Sequence, residues 1–422
     1  MGNLQITDGK QIRYLVLISI VAFAGNLPRI AIGNSFVPIP IKTKPIVSVK
    51  SFGAKGDGVK DDTQAIQNAM NSMTNGGTLE FPAGTYKYSK ALKLTKPNVK
   101  LWGYGATLKP TNVNSHAIQL IANNTHIYGF RKESPWSWKR GGCQPHGVNC
   151  YSIVALNSSN HQIIDNKVRY ATGIFALSST NVLIGRNTVY RTYADAIHVT
   201  GRSSDVKISQ NTVRENGDDM IAVVSYGQLS SYRVNNVLIE DNDVAGNYWG
   251  RGIAVVGGKD ITIRNNLAQY TAHGPGILLY SETNKKGRTH PPVSNVLVEN
   301  NTIRHVQTTA PVYNPKGIRV KLGWGGIHIA GYHLSRNFVE NVMVRNNVVH
   351  TTYRDGITVT GYVSKVGLVG NALYNVGRNP IGVIDLKRNG KKIACYGNTY
   401  NGKATSNPKC GAPMPNVTGS AL

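Results

Sequence analysis

Apolar and polar residues alternate in short segments that recur along most of the chain. Segments such as NVLIGRNTV (181–189) and NVLIEDNDV (236–244) alternate at every second position, and each contains an asparagine near its end. A second apolar segment, such as DAIHVT or DMIAVV, follows each asparagine, and three of the steps between asparagines are 24 residues long. Alternation with a period of two in units of this length predicts a solenoid of parallel strands. The recurring asparagines are Asn166, Asn187, Asn211, Asn242, Asn266, Asn301, Asn347, Asn371 and Asn398.

The regular spacing of these asparagines predicts that they stack inside the solenoid. Each side-chain amide is then expected to bond to the backbone of the next coil, which would form an internal ladder. A leucine-rich repeat is excluded because its Leu-rich consensus and its helical segments are missing. A propeller is excluded because its blades are longer and antiparallel. The pattern therefore predicts an all-β chain that folds as a parallel β-helix.

The segment 47–72 predicts a different structure at the start of the solenoid. It reads as a strand, a Gly-rich turn and then an amphipathic helix that Asp61 or Asp62 is expected to cap. Because solenoids need their ends covered, we interpret 47–90 as an N-terminal helical cap of one domain that spans 47–410. The apolar stripe of the helix is expected to consist of Ala65, Ile66, Ala69, Met70 and Met73.

The cap segment also carries a resemblance to a known family. VKSFGAKGDGVKDDTQAIQNAM followed by GGTLEFPAGTY resembles the N-terminal cap of the pectin-lyase-like right-handed β-helix superfamily. That superfamily includes polygalacturonase-type glycoside hydrolases, polysaccharide lyases and epimerases, and phage tailspikes. The resemblance covers nearly the whole chain after its N-terminal segment. It implies a single-stranded right-handed parallel β-helix.

The first residues have the features of a targeting segment. Lys10 and Arg13 precede an apolar run at 15–25, and AFA at 22–24 supplies small residues for cleavage. Residues 1–24 are therefore predicted to be a secretory signal peptide. The protein would be secreted or periplasmic, with no membrane segment after cleavage. The alternative is an uncleaved N-terminal anchor.

The chain is strongly basic, with 47 Lys and Arg residues against 21 Asp and Glu residues and a net charge of +26. An exported protein with this charge is expected to meet an acidic partner, such as a polyuronate, nucleic acid or an anionic envelope surface. We favour an anionic polysaccharide as the partner, because nucleic-acid binding has little support beyond charge. We expect the protein to be a monomer. The alternative is a solubilising charge, since the basic residues are scattered.

The four cysteines form two close pairs, Cys143 with Cys150 and Cys395 with Cys410. An even number of cysteines in an exported chain predicts two local disulfides. Neither pair has partners at the usual spacing for zinc. We expect no metal ion and no cofactor.

The register of the repeat brings candidate catalytic residues together. Asp195 lies eight residues beyond Asn187, and Asp219 lies eight residues beyond Asn211. If the asparagines stack, the two aspartates stack as well, about 4.8 Å apart at the backbone, with Asp218 beside them. Like charges so close raise at least one pKa, as a general acid requires. The alternative is that these aspartates cap turns.

The same residues resemble polygalacturonase motifs, which in order are N-T-D, G-D-D, G-H-G and R-I-K. ADAI around Asp195 occupies the first motif, and GDDMIAV (217–223) matches the second. Arg251 replaces the histidine of the third motif, and the Arg and Lys of the fourth are absent from 275–282. These departures favour a glycosidase for another acidic or mixed polymer.

The resemblance implies a role for each carboxylate. Asp218 would be the general acid, and Asp195 with Asp219 would handle the water that attacks the sugar. Two carboxyl groups roughly 6.5–9.5 Å apart across a sugar suit an inverting hydrolase. Asp355 shares the register but lies four coils away, roughly 19 Å along the axis, so it is expected to cap a turn or line a distant subsite.

Basic and aromatic residues are expected to line a substrate groove, because sugars stack on aromatic faces and basic groups hold carboxylates or sulfates. His198 and His328 occupy the same alternating position and are expected to face outward. Solvated loops are the alternative. The candidate substrate contacts are Arg251, His198, Tyr280, His328, Trp136, Trp138 and Lys321.

Two other functions stay open. A polysaccharide lyase or uronate C5-epimerase would abstract a proton next to a uronate carboxyl group, with Arg251 as the base and the acidic residues holding Ca²⁺. A non-catalytic solenoid, such as a tailspike-like or adhesive protein, would only bind a polysaccharide. The motifs favour the glycoside hydrolase.

Overall fold

The computed structural model of this chain consists of parallel strands that repeat in the same order, coil after coil. The structure describes residues 36–135, 147–226, 233–247, 249–281, 290–307, 324–332, 338–384, 386, 393–420 and 422. Each coil contributes one strand to each of three long sheets, A, B and C. Pairing is parallel throughout the stack, and the described residues have one antiparallel pair, at the C-terminal end of sheet B. The predicted parallel β-helix is confirmed.

The strands and helices have the following bounds. Sheet A contains β1 (Ile46–Ser48), β3 (Gly77–Glu80), β6 (Val99–Trp102), β9 (His126–Tyr128), β12 (Ser159–Ile164), β15 (Thr180–Gly185), β18 (Ser204–Ser209), β21 (Asn235–Glu240), β24 (Gly258–Arg264), β27 (Val293–Glu299), β30 (Val339–Arg345), β33 (Val363–Val369) and β36 (Ala394–Tyr396). Sheet B contains β2 (Asp57–Asp61), β4 (Gly84–Tyr88), β7 (Ala106–Pro110), β10 (Arg131–Glu133), β13 (Lys167–Arg169), β16 (Thr188–Tyr190), β19 (Thr212–Arg214), β22 (Asp243–Asn247), β25 (Leu267–Thr271), β28 (Thr302–Val306), β31 (Val348–Thr352), β34 (Ala372–Val376), β37 (Thr399–Tyr400) and β38 (Lys403–Ala404). Sheet C contains β5 (Leu92–Leu94), β8 (Ile118–Leu120), β11 (Ile153–Leu156), β14 (Ile174–Leu177), β17 (Ile197–Thr200), β20 (Ile221–Val224), β23 (Ile253–Val256), β26 (Ile277–Ser281), β29 (Ile327–Gly331), β32 (Ile357–Gly361) and β35 (Ile381–Ile384). The α-helix α1 spans Thr63–Ser72, and two short 3₁₀ helices span Val49–Phe52 and Val148–Cys150.

The core lies inside the coils and is built from the alternating apolar residues. In β17, Ile197 and Val199 point inward and are fully buried in the main apolar cluster. Branched residues suit these positions because their side chains are stiff and pack well on a pleated surface. The residues between them, His198 and Thr200, are on the outer side of the sheet. This alternation fixes the register, since a slip by one residue would turn the apolar set outward.

The internal asparagine ladder is present from Asn166 to Asn398. The backbone N and Nδ2 of Asn187 donate to Oδ1 of Asn211 at 2.9 and 3.0 Å, and the same pair of atoms of Asn211 donates to Oδ1 of Asn242 at 2.9 and 3.0 Å. Every later rung repeats these two bonds. The predicted stacking is confirmed, and the ladder holds successive coils in one rotational register.

A second ladder, on the outside, was not predicted. It consists of Asn and Asp residues at the corner that leads into sheet A. Asn181 Nδ2 donates to Oδ1 of Asn160 at 2.7 Å, and Asn295 Nδ2 donates to Oδ1 of Asp260 at 2.7 Å. All four residues have φ between +54° and +64°. Asn and Asp tolerate this left-handed conformation better than other non-glycine residues, which explains why they recur at the corner.

The helix has the expected apolar stripe and a different cap geometry. Ile66, Ala69, Met70 and Met73 are buried, and Ala65 is partly buried. Oδ1 of Asp61 accepts the backbone N–H of Thr63 at 2.9 Å, so Asp61 caps the first turn. The carboxylate of Asp62 instead accepts the N–H groups of Lys55 and Gly56 at 2.7 and 2.9 Å. The role of 47–90 as a cap of the solenoid stays a prediction.

One of the two predicted disulfides is confirmed. Cys395 and Cys410 are bonded, with their Cα atoms 5.4 Å apart. Cys143 lies outside the described residues, so its pairing with the buried Cys150 stays a prediction. The predicted signal peptide, 1–24, also lies outside them. Within the ranges that the structure describes, no helix is long and apolar enough to cross a membrane.

Candidate active site

Three carboxylates meet where two neighbouring coils enter sheet C. Asp195 lies two residues before β17, Asp219 lies two residues before β20, and the two strands pair in register. Asp218 joins them from the same turn as Asp219. One carboxylate oxygen from each residue lies within 4.8 Å of the other two. The structure therefore brings together the three aspartates that register and motif had singled out.

One oxygen of each in-register aspartate has a structural task. Oδ1 of Asp195 accepts the backbone N–H of Asp219 at 3.0 Å, and Oδ1 of Asp219 accepts that of Arg251 at 2.7 Å. Four coils further, Oδ1 of Asp355 accepts the backbone N–H of Asn379 at 3.0 Å. The turn-capping interpretation is thus correct for this oxygen in all three residues. It does not account for the second oxygen.

The second oxygen has a different partner at each position. Oδ2 of Asp195 lies 2.6 Å from Nδ1 of His198, and Oδ2 of Asp219 lies 2.9 Å from a terminal nitrogen of the Arg251 guanidinium. Oδ2 of Asp355 accepts the hydroxyl of Thr358 at 3.2 Å. Among the described residues, charged or titratable partners of Oδ2 therefore occur at the two positions that also face Asp218 and not at Asp355.

The surroundings push the pKa values of the stacked aspartates apart. Burial alone would raise the pKa of Asp195, but the hydrogen bond and charge of His198, with the charge of Arg251, hold it below its ordinary value. Burial raises the pKa of Asp219 well above its ordinary value, and the negative charges of Asp195 and Asp218 add to the rise despite Arg251. A cluster with opposed shifts can hold one proton next to one ionised carboxylate.

Two asparagines fix the turn that carries Asp218 and Asp219, and sequence reasoning missed both. Asn216 Nδ2 donates to the carbonyl oxygens of Asp218 and Asp219 at 2.8 and 2.7 Å. Asn247 Nδ2 reaches the carbonyl of Asp218 from the next coil at 3.3 Å. Asn216 lies directly before the GDD motif, which was a usable signal. Glu215 points away from the cluster and pairs with Arg191 at 2.7 Å.

The role of His198 as a substrate contact stays a prediction, and the structure shows that neighbouring rings cover the residue. It lies on the outer side of sheet C, but it is only 4% exposed. Its ring stacks on Phe175 at 5.0 Å and 14°, and on Tyr226 at 6.2 Å and 24°. The outward direction of the His198 side chain does not make it solvent-exposed, because neighbouring aromatic rings cover it. Nδ1 of His198 contacts Oδ2 of Asp195, so the histidine lies behind that carboxylate.

Of the other predicted substrate contacts, Arg251 pairs with Asp219, and the rest lie on later coils or outside the described residues. His328 is also buried, at 5% exposure, and burial lowers its pKa to about 4. It packs against Trp324, as does the half-buried Tyr280. Strand order places His328 four strands from His198, roughly 19 Å along the axis. Trp136, Trp138 and Lys321 fall outside the described residues and stay predictions.

The carboxylate cluster is a poor match to a calcium site. Ca²⁺ takes six to eight oxygen ligands with lone pairs available. Both oxygens of Asp195 and both oxygens of Asp219 already face nitrogen partners in the protein. The guanidinium of Arg251 also brings a positive charge to the position that a cation would share. These partners favour chemistry by the carboxylates themselves.

Comparison with known proteins identifies the family of this chain. The model of the family described as "Rhamnogalacturonase A/epimerase, pectate lyase-like" matches residues 46–284, which is more than half of the chain. A second model, for a right-handed β-helix region, matches residues 224–373. The second match agrees with the parallel coils of the structure and gives their handedness.

Two solved structures share the fold at low sequence identity. The catalytic unit of a GH87 α-1,3-glucanase from Streptomyces thermodiastaticus is 17% identical, with a TM-score of 0.56 over 86% of this chain and 70% of that one. The A-module of mannuronan C-5 epimerase AlgE6 from Azotobacter vinelandii is 17% identical, with a TM-score of 0.54 over 86% and 100%.

One curated relative is named as a binding protein, whereas the two solved structures are named as enzymes. Plasmin and fibronectin-binding protein A of Streptococcus pneumoniae is 22% identical over 223 residues, which are 52% of this chain and 23% of that protein. The chain therefore spans less than a quarter of the length of this relative. Enzymes and an adhesin share the fold, so the site and not the fold has to decide between catalysis and binding alone.

Proposed function

This chain belongs to the rhamnogalacturonase A/epimerase, pectate lyase-like family, and we propose that it is a glycoside hydrolase acting on a polysaccharide. The observation that carries the proposal is the meeting of Asp195, Asp218 and Asp219, with opposed pKa shifts at the two stacked residues. Hydrolysis of a glycosidic bond needs one proton donor and one ionised carboxylate that flank the bond, and a cluster with opposed pKa shifts supplies both protonation states. The polymer is proposed to be acidic, in keeping with the net charge of +26.

Asp218 is the proposed general acid. Asp219 is 4% exposed and both of its oxygens are held by Arg251, so it is badly placed to reach a glycosidic oxygen. Asp218 is half-buried and sits beside it. In a coupled cluster the proton belongs to the group of carboxylates rather than to one residue, so the elevated pKa of Asp219 can maintain a proton that Asp218 delivers.

Asp195 and Asp219 are proposed to position and activate the attacking water. Their oxygens already accept nitrogen donors, which weakens them as direct nucleophiles and favours attack by water with inversion. The cluster, with oxygens within 4.8 Å, is more compact than the roughly 6.5–9.5 Å gap of inverting enzymes. We therefore propose that the Asp218 side chain moves away when a sugar enters. Proton NMR of the first product should show the inverted anomer, and retention would contradict this assignment.

The lyase or epimerase alternative needs a base that removes a proton from carbon. The sequence offered Arg251 for that role, but in the structure its guanidinium is bound to Asp219. A guanidinium paired with a carboxylate keeps its proton, since arginine is not deprotonated in proteins. Arg251 is thus better suited to holding Asp219 in place than to acting as a base.

A panel of acidic and neutral polysaccharides, with products analysed by mass spectrometry and ultraviolet absorbance, tests the function. We expect products that have gained water, show no unsaturated-sugar absorbance, and form equally well in EDTA. An absorbing product would establish a lyase, and unchanged chain length with altered sugar stereochemistry would establish an epimerase. Binding without any product would establish an adhesive role.

We further propose that the protein is monomeric and secreted or periplasmic.

The hydrogen bond between His198 and Asp195 predicts a shift in the pH profile. His198 lowers the pKa of Asp195, so His198→Phe, which keeps a ring in the stack, should raise that pKa. The acid limb of kcat/KM should therefore move to higher pH, because Asp195 must be ionised to activate water. Thr358→Val removes the equivalent bond to Asp355 and should leave the profile unchanged. An acid limb that stays in place in His198→Phe would show that Asp195 is not the base.

A further inference from the structure

Arg169 is an ordered guanidinium near the acid cluster that the proposed reaction does not use. It is the last residue of β13, on the outer side of sheet B, in register with Tyr190 of the next coil. Its guanidinium carbon lies 4.4 Å from the ring centroid of Tyr170 and 5.4 Å from that of Tyr190. A terminal nitrogen donates to the Tyr170 hydroxyl at 2.7 Å. Two tyrosines thus hold the charged group in one orientation.

Arg169 differs from the nearest arginines of this sheet edge in having no carboxylate partner among the described residues. Arg131 pairs with Glu133, Arg191 pairs with Glu215, and Arg214 pairs with Asp243. Among the described residues no carboxylate lies within ion-pair distance of Arg169, and its buried Nε has no hydrogen-bond partner. The buried Nε cannot reach a ligand, but the second terminal nitrogen of this half-buried cation makes no hydrogen bond to the described residues and is suited to bind an anion from outside.

The chain connects this position to the acid cluster over a short distance. Arg191, whose guanidinium lies over Tyr190 and reaches the Tyr170 hydroxyl, is four residues before Asp195. Four residues span at most about 14 Å. Arg169 therefore lies one coil from Asp195 and two coils from Asp218 and Asp219, close enough for one extended polymer to contact both positions.

We propose that Arg169, clamped by Tyr170 and Tyr190, is a subsite for the anionic group of an acidic polysaccharide, either a uronate carboxylate or a sugar sulfate. The proposal rests on the proposed function, because the polymer is the one whose bond the cluster cleaves. The guanidinium supplies a charge-assisted contact to the anion, and the tyrosine faces reduce the ordering that binding requires. The subsite would therefore select substrates by charge one coil from Asp195 and two coils from Asp218.

Titration calorimetry tests the subsite by comparing the parent chain with the Arg169→Gln variant. Both proteins also carry Asp218→Asn, so that the probes are bound but not cleaved. The probes are an oligogalacturonate, a sulfated galacto-oligosaccharide and a neutral gluco-oligosaccharide of equal length. Arg169→Gln should weaken binding of one anionic probe about tenfold or more, as for loss of a hydrogen bond to a charged group. Binding of the neutral probe should not change.

Arg304→Gln is the matched control. Arg304 lies in β28 in the same register row as Arg169, five coils further on, and contacts Gln269, so its loss removes the same charge at a distance from the cluster. A selective loss of the oligogalacturonate assigns the carboxylate, and a selective loss of the sulfated probe assigns the sulfate. Equal effects of Arg169→Gln and Arg304→Gln, or no preference of the parent chain for either anionic probe, would overturn the subsite. Because binding is measured directly, these outcomes do not depend on whether the enzyme is a hydrolase.

Discussion

Replacing Asp218 with Asn is expected to lower turnover by roughly 10²–10⁴-fold, the range assigned to general acid catalysis. Asparagine keeps the shape of the side chain but has no proton to transfer. The loss should appear in kcat, while KM changes little, because the proposed charge contact to the substrate is made by Arg169 and not by Asp218. Steady-state kinetics on the substrate identified by the polysaccharide panel measures both constants. A substrate with an activated leaving group, which needs less protonation, should recover part of the lost rate.

Asp355→Asn provides the control for this substitution. Asp355 has the same register as Asp195 and Asp219 and makes the same bond to the backbone of the next coil. It lies four coils beyond Asp219, too far to reach the same glycosidic bond. We expect this variant to keep the activity of the parent chain. Near-normal turnover in Asp218→Asn, or an equal loss in Asp355→Asn, would remove Asp218 from the mechanism.

The second large effect concerns stability. Asn242→Ala should lower the free energy of unfolding by on the order of 3–6 kcal/mol, because several buried polar groups lose their partners at once. Asn242 Nδ2 donates to the carbonyls of Ile208 and Glu240, both at 3.0 Å. Its Oδ1 accepts the backbone N–H and Nδ2 of Asn211. None of these groups can reach water inside the coil.

Guanidinium denaturation followed by circular dichroism measures this effect. Asn68→Ala makes the same chemical change on the exposed face of α1, where Oδ1 of Asn68 accepts a hydrogen bond from Nε2 of Gln64. That variant should shift stability by no more than about 0.5 kcal/mol. If Asn242→Ala were as mild as Asn68→Ala, the ladder would be a consequence of the coil geometry and not a source of its stability.

The coil and its register could be predicted because both are determined by short sequence patterns that repeat along the chain. Asn187 and Asn211 recur at the same point of each unit, and counting from them places Asp195 beside Asp219 without any knowledge of the third dimension. The outer ladder of Asn181 and Asn160 was missed because its signal is a backbone conformation and not a hydrophobic pattern. Asn and Asp at a corner suggest that conformation only once the corner is known.

The environment of each side chain was harder to predict than its position. The alternation correctly placed His198 on the outer side of its strand, but the aromatic rings that cover it come from other coils. The pairing of Arg251 with Asp219 likewise depends on side-chain rotamers that register does not specify. The opposed pKa shifts follow from burial and from these partners. The sequence could therefore suggest that the carboxylates share a proton, but not which of them has the raised pKa. Asp62, which faces Lys55 and Gly56 rather than the helix, shows the same limit.

The internal asparagine ladder also makes the length of this protein adjustable. Each rung bonds to the next in the same way, so a whole coil could be inserted or deleted with its asparagine and leave every other rung intact. Such a change would displace everything beyond it by one strand spacing, about 4.8 Å, without rotating it. The distance between two subsites along the axis would then change by one strand spacing for each coil that is added or removed between them. Duplication of coils could in this way match the molecule to polymers of different repeat length while the chemistry at one position stays unchanged.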